Sequence, residues 1–320
     1  MLPEPLLMEP AYKDYLWGGD TLVNEFHKNT SLRPLAESWE VSCHPDGPSI
    51  VKEGQFAGMT LANVLAQHPA WLGEKSLSHS EFPVLIKLID AKDNLSLQVH
   101  PDDAYARKHE GQQGKNEMWY VVEAQPGAEL ILGFQQKIDR EKLELRIRDN
   151  TILEVVNSVP VHTGDCFEIP AGMLHAIGAG VVIAEVQQSS NVTYRVYDYD
   201  RRGPDGKARQ LHVAQALDVT DTALKAVPVP RENDLTSGGL FREQLTNWKW
   251  FRANKLDCRE KGSFTVTTES FQTLTVLDGS CALTAGDRTL SLQRGDSIFL
   301  PADLGEVQLT GTASLLNVSL

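Results

Sequence analysis

The sequence predicts a mainly β protein, built as two small antiparallel β-barrels of one type with a few short helices. Three observations carry this expectation. From about residue 150 to 200 the chain runs in short strand-like segments separated by Gly and Pro turns, the pattern of an antiparallel barrel. Gly164-Asp165-Cys166-Phe167-Glu168-Ile169-Pro170-Ala171 matches Gly295-Asp296-Ser297-Ile298-Phe299-Leu300-Pro301-Ala302 without a gap, an internal repeat. Helical patterning is confined to a few short stretches, too few for a helical scaffold.

Taken in order, residues 1–60 are rich in turns and short apolar runs, with Trp17-Gly18-Gly19-Asp20 as one loop. Thr60 is placed to N-cap a helix with apolar residues at 61, 64 and 65. Pro83-Val84-Leu85-Ile86-Lys87-Leu88-Ile89 reads as a buried strand, and Leu95 to His100 as an alternating one. Pro101-Asp102-Asp103 favours a short helix over Ala104 to His109, and 137–149 is the most helix-like stretch. Each repeat follows a strand that ends near Gly, at Gly127 and Gly279. The join between the halves falls near Val227-Pro228-Val229-Pro230-Arg231-Glu232-Asn233-Asp234, where proline and polar residues interrupt the periodicity. The expected division is therefore 1–230 and 231–320.

At 320 residues the chain is long enough for a substantial core, and its 41% hydrophobic and 23% charged content is that of a soluble globular protein. A formal charge of −13 argues against broad contact with nucleic acid or an anionic membrane, while leaving room for a small anionic substrate held by a few local cations. Met1-Leu2-Pro3-Glu4-Pro5 has no basic n-region, and no run approaches the roughly 20 apolar residues of a membrane span. Cys43, Cys166, Cys258 and Cys281 are scattered, which suggests reduced thiols in a cytoplasmic protein rather than a disulfide framework.

Alternation puts Ser96, Gln98 and His100 on one strand face. Glu117 opens the next strand-like run, and His175 follows the turn Pro170-Ala171-Gly172. Two imidazoles, a carboxylate and an amide oxygen suit a divalent transition metal. Zinc is the first choice; iron, cobalt or manganese fits similar donors. Carrying the repeat forward sets Gln272 opposite Glu117 and Glu306 opposite His175. The second copy thus lacks the ligands and reads as structural.

Arg195 shares a face with Thr193 and Tyr197. It is either salt-bridged to Asp198 or Glu185, or presents its planar fork to a phosphate or a developing enediolate. Lys115, two residues before Glu117, is either a solvated loop lysine or a group within reach of the same site. Glu185, inside Val181-Val182-Ile183-Ala184-Glu185-Val186, needs a partner or a role. Gly178-Ala179-Gly180 is a simple turn, not a dinucleotide loop, since position 183 is Ile.

These motifs resemble the type I mannose-6-phosphate isomerase family, in its short bacterial branch, across nearly the whole chain. The resemblance rests on Trp17-Gly18-Gly19, Ala36 to Ser42, Leu95 to Pro101, Lys115-Asn116-Glu117-Met118-Trp119-Tyr120, Pro170 to Ala176 and Tyr194-Arg195-Val196-Tyr197-Asp198, in order. It implies two cupin-type (jelly-roll) barrels: a catalytic one with helical additions in 1–230 and a degenerate one without metal ligands in 231–320. It also implies one zinc ion per chain on Gln98, His100, Glu117 and His175, with Arg195 as the catalytic arginine, Lys115 as the lysine before the glutamate ligand and Glu185 as a further site carboxylate. The implied reaction interconverts mannose 6-phosphate and fructose 6-phosphate through a cis-enediol, with Glu185, Lys115 or a metal-bound water as candidate base. Ser96 either contacts the sugar phosphate or lines the barrel. The oligomeric state, monomer or dimer, is open. The alternatives are a metal-dependent cupin oxygenase and a non-catalytic sugar-binding cupin; the Lys115 and Arg195 pair argues against the first, the intact ligand set against the second.

Overall fold

The largely apolar runs Val84–Ala91 and Val181–Gln188, each interrupted by buried charged or polar residues, pair antiparallel along their whole length. Every residue of both is buried, as expected for strands covered on two faces. They are the centre of a six-stranded sheet ordered Cys166–Ile169, Glu117–Ala124, Val181–Gln188, Val84–Ala91, Glu37–Val41 and Ala11–Lys13. The computed structural model describes residues 3–320 apart from 80, 204, 227, 228, 230–232, 236 and 237. Most of the expected join at Val227–Asp234 therefore lies outside the described residues.

Facing that sheet is a five-stranded one, ordered Tyr194–Tyr197, Leu97–Val99, His175–Ile177, Glu129–Phe134 and Val156–Pro160. Trp119, Val121, Ile89 and Ile183 from the first sheet meet Leu130, Leu132 and Ile177 from the second in one core. The outer face of the five-stranded sheet is covered by the helices Arg140–Arg148 and Val213–Val219, through Leu143, Ile147, Ala216 and Leu217. The expected helices are present: Thr60 caps Leu61–Gln67 by accepting from the Asn63 amide, and Asp102 caps Asp103–His109 by accepting from that of Tyr105.

The C-terminal segment supplies eight strands of a ten-stranded sheet, around a core that includes Leu256, Leu283 and Leu315. Leu6–Glu9 pairs with Ser297–Leu300, and Ile50–Val51 pairs with Leu6–Glu9, so two N-terminal strands extend the C-terminal sheet. A shared core then joins Met118 and Val186, on the back of the six-stranded sheet, to Phe271, Phe299 and Leu316. The protein is mainly β, as expected, with the sheets packed as open layers rather than closed into rings. No disulfide joins the four cysteines, and among the described residues no helix is long and apolar enough to cross a membrane.

The Trp17–Asp20 loop is seated by two close approaches. A Cβ on Gly18 would lie 2.6 Å from the Ala36 backbone, and one on Gly19 would lie 2.5 Å from the Asp90 carboxylate. Backbone excludes a side chain at position 18, while at position 19 the Asp90 carboxylate would have to move aside. The residues just before the loop, Asp14 to Leu16, line a cavity together with Asp198, Arg201 and Arg209.

Candidate active site

Glu117 and His175 are the first residues of their strands, and His100 follows the last residue of Leu97–Val99. In the five-stranded sheet His175 lies opposite Gln98, and Gln98 opposite Arg195. Gly172, at φ +89°, turns the chain so that its amide donates to the His100 carbonyl at 2.9 Å. That bond ties the two histidine segments together.

The donor atoms of His100, Glu117 and His175 lie within 4.8 Å of one another, and all three residues are buried. His175 Nε2 is 3.3 Å from Glu117 Oε1, and His100 Nε2 is 3.5 Å from Glu117 Oε2. Nδ1 of His100 lies 2.8 Å from the Val192 carbonyl and Nδ1 of His175 lies 2.9 Å from that of Met173. Only an N–H can donate to a carbonyl, so each Nε2 lone pair faces the carboxylate. Burial, and next Lys115, push the His175 imidazole down to about 3, and lower His100 as well. Both rings are thus neutral, the form that ligates.

Glu117 Oε1 and His175 Nε2 are buried without a hydrogen-bond partner. Polar atoms at that depth require one, and a divalent ion accepted by two imidazoles and a carboxylate supplies it. The residues present therefore fit a metal.

Lys115 is not a solvated loop lysine. It is 4% exposed, with Nζ 2.5 Å from Glu117 Oε2, 3.0 Å from His100 Nε2 and 3.9 Å from Glu185 Oε1. Glu185 Oε2 accepts from the Trp119 indole N–H at 2.9 Å, and Oε1 is ion-paired with Lys87 Nζ at 3.2 Å but has no hydrogen bond. Burial alone would raise its pKa, but Lys115 and Lys87 outweigh this and hold it ionised, below the usual carboxylate range. Glu117 moves the other way, raised by burial and by the neighbouring Glu185.

Arg195 is not salt-bridged to Asp198 or Glu185. Its Nε donates to Ser96 Oγ at 3.2 Å and one terminal nitrogen donates to the Gln210 carbonyl at 3.0 Å. Asp198 is instead claimed by Arg201 and Arg209, each at 2.5 Å. Ser96 thus touches the arginine. Beside Asp198, Arg201 and Arg209, a cavity of about 220 Å³ opens to Asp14, Tyr15 and Leu16.

A model of the type I phosphomannose isomerase catalytic domain matches residues 6–132, and a mannose-6-phosphate isomerase cupin-domain model matches residues 244–320. A mannose-6-phosphate isomerase of Streptococcus mutans is 37% identical, over 98% of each chain. The chain belongs to the type I phosphomannose isomerase family. The crystal structure of the Bacillus subtilis mannose 6-phosphate isomerase superposes with a TM-score of 0.93 at 31% identity, over 99% of each chain. A zinc-bound mannose 6-phosphate isomerase superposes at 0.77 with 16% identity over 98% of each chain, which speaks to the shared fold.

Two further buried groups of this family member, Lys87 and Asn116, support the site. Lys87 is 4% exposed and lies opposite both Glu185 and Trp39 in the six-stranded sheet. Trp39, Lys87, Glu185 and Trp119 thus form one lateral row across four strands. Burial works against the Lys87 charge, yet Glu37 and Glu185 raise its pKa above the ordinary lysine value. The signal was available: a lone lysine inside an apolar strand needs a partner for the same reason Glu185 does. Asn116 also went unnoticed; its Oδ1 accepts from the Ala171 amide at 2.9 Å and its Nδ2 donates to Gln188 at 2.7 Å. It braces the turn that leads to His175.

Proposed function

We propose that the chain interconverts D-mannose 6-phosphate and D-fructose 6-phosphate reversibly, using one divalent metal ion, zinc by first choice. The observation that carries this is the buried His100, Glu117 and His175 cluster standing beside the Lys115, Glu185 and Lys87 charges, in a chain that matches mannose-6-phosphate isomerases end to end. Gln98, His100, Glu117 and His175 would hold the ion. When bound, it supplies Lewis-acid stabilisation to hydroxyl and carbonyl oxygens.

The rest falls to the chain. Isomerisation removes the proton at C2 of the open-chain aldose, gives a cis-enediol and returns a proton to C1. Glu185 is ionised beside Lys87 and Lys115 and so free to accept a proton, but the cations that hold it ionised also weaken it as a base. Lys115 is the neighbouring ammonium, fit to supply one. Arg195 is aimed by Ser96 and the Gln210 carbonyl, with guanidinium donors left over for the negative oxygens of the enediolate. Beside Arg195, the cavity lined by Arg201 and Arg209 carries two carboxylates, Asp198 and Asp14, and three guanidinium groups against two carboxylates favour a phosphorylated sugar. A cupin oxygenase has no use for that excess of cations.

Turnover of mannose 6-phosphate, read through coupling enzymes, tests the reading. Activity should disappear on chelation and return with zinc. A folded, metal-loaded protein that leaves mannose 6-phosphate unchanged would sink it.

A further inference from the structure

The C-terminal half holds a second cavity of about 640 Å³, on a different sheet from the site above. Strand register shows where it comes from. Glu117 lies opposite Ile169, and Gln272 lies opposite Leu300, the repeat's counterpart of Ile169. His175 lies opposite Gln98, and Glu306 lies opposite Thr265. Gln272, Glu306 and Thr265 all line the second cavity. It is therefore the repeat's counterpart of the metal pocket, without the imidazoles.

We propose that this cavity is a second binding site, for a small anionic, polyhydroxylated ligand of the sugar-phosphate class. The cavity opens at the surface, where Arg252 and Glu306 are exposed, so a solute can reach its polar lining. Here alternate residues of neighbouring strands point polar groups into open space: Arg242 and Gln244 from one strand, Arg252 and Asn254 from the next.

The charges suit an anion. Two guanidinium groups face one carboxylate, Glu306, in a chain whose net charge is −13. Arg242 Nε is buried and has no hydrogen-bond partner among the described residues. Such a donor is costly to leave unmade, and planar forks of this kind match phosphate oxygens two at a time.

The amides suit hydroxyls. Asn254 Nδ2 lies 3.5 Å from Asn317 Oδ1, Asn317 Nδ2 donates to Gln272 Oε1 at 2.9 Å, and Gln272 Nε2 donates to the Thr265 carbonyl at 3.3 Å. This chain orients the amides and leaves Asn254 Oδ1 and Gln244 at the cavity wall for a ligand. The volume falls within the range of about 300–1,000 Å³ typical of small-molecule sites. With no imidazole or thiolate in its lining, the cavity does not ask for a metal.

Calorimetric titration of the metal-loaded protein with D-sorbitol 6-phosphate tests this, beside the Arg242→Gln/Arg252→Gln double variant. The double variant should bind one equivalent fewer than the unchanged chain. That difference is expected whether or not the catalytic pocket also takes the probe, so failure of the isomerase reading leaves it intact. Equal stoichiometry in the two proteins overturns the site. Asn254→Leu keeps both arginines and guards against a folding artefact; it should weaken the same site about tenfold, as for a lost hydrogen bond to a ligand. Unaltered affinity in Asn254→Leu, or inorganic phosphate binding as tightly as the hexitol phosphate, would remove the polyhydroxylated ligand from the proposal.

Discussion

Lys87 faces Glu185 across two neighbouring strands, with Glu37 at 3.7 Å on its other side. Removing a charge from such a buried group strands its partners, at a cost of about 3–5 kcal/mol. Lys87→Met should therefore lose stability on that scale in urea unfolding at neutral pH; a loss under about 1 kcal/mol would mean that the row is not charged. The imidazoles make a different prediction. Each is already oriented by a backbone carbonyl, so His100→Ala or His175→Ala should keep the fold while metal content and turnover fall together. Full metal occupancy in either variant, by elemental analysis, would refute the ligand assignment. Arg195→Ala should retain metal and fold, with turnover down by about two orders of magnitude, as for loss of a transition-state donor. Near-normal turnover would demote Arg195 to a structural residue held by Ser96.

The segment after strand Tyr194–Tyr197 shows what one carboxylate does for an element. Tyr199 and Asp200 are consecutive residues at φ +54° and +53°, a left-handed conformation that side chains disfavour. Asp198 anchors that turn by accepting from Arg201 and Arg209. Burial would raise its pKa, but the hydrogen bonds from Arg209 and Arg201 prevail and hold it below the ordinary value. A carboxylate depressed in this way stabilises the fold fully above the ordinary aspartate range, near pH 4, and loses that contribution as the pH falls from there through its lower folded value. The stability gap between the unchanged chain and Asp198→Asn should thus be widest near neutrality and close on acidification. A gap that is constant from pH 7 to pH 3, measured by thermal melts, would contradict the clamp.

At the scale of the molecule, the six-stranded sheet is the common wall. One face meets the ligand-bearing sheet and the other meets Phe271, Phe299, Leu316 and Val318. Lys28 crosses the same boundary, pairing with Glu40 at 2.6 Å and donating to the Gly295 carbonyl at 2.5 Å. A fragment ending at residue 230 would expose that apolar face and leave Leu6–Glu9 paired only to the two-residue strand Ile50–Val51. It should be insoluble or lack a cooperative melt; a sharp, reversible transition would show the first half to be self-sufficient.

Much of this was present in local pattern. Alternation over 95–100, the caps at Thr60 and Asp102, and the ungapped repeat determined the mainly β class, the short helices and the pairing of Gln272 with Glu117 and Glu306 with His175, because periodicity, capping and repetition are short-range properties of the chain. The candidate donors were also legible, because imidazole and carboxylate carry their chemistry with them. Tertiary structure alone decided their company. Lys87 and Glu185 are distant in sequence and become neighbours only through strand register, which also turned Lys115 inward and gave Asp198 to Arg201 and Arg209 rather than to Arg195. The second repeat shows the same limit. Its missing ligands were readable one residue at a time, but a pocket is empty space between strands, and only their packing determined that this one stayed open.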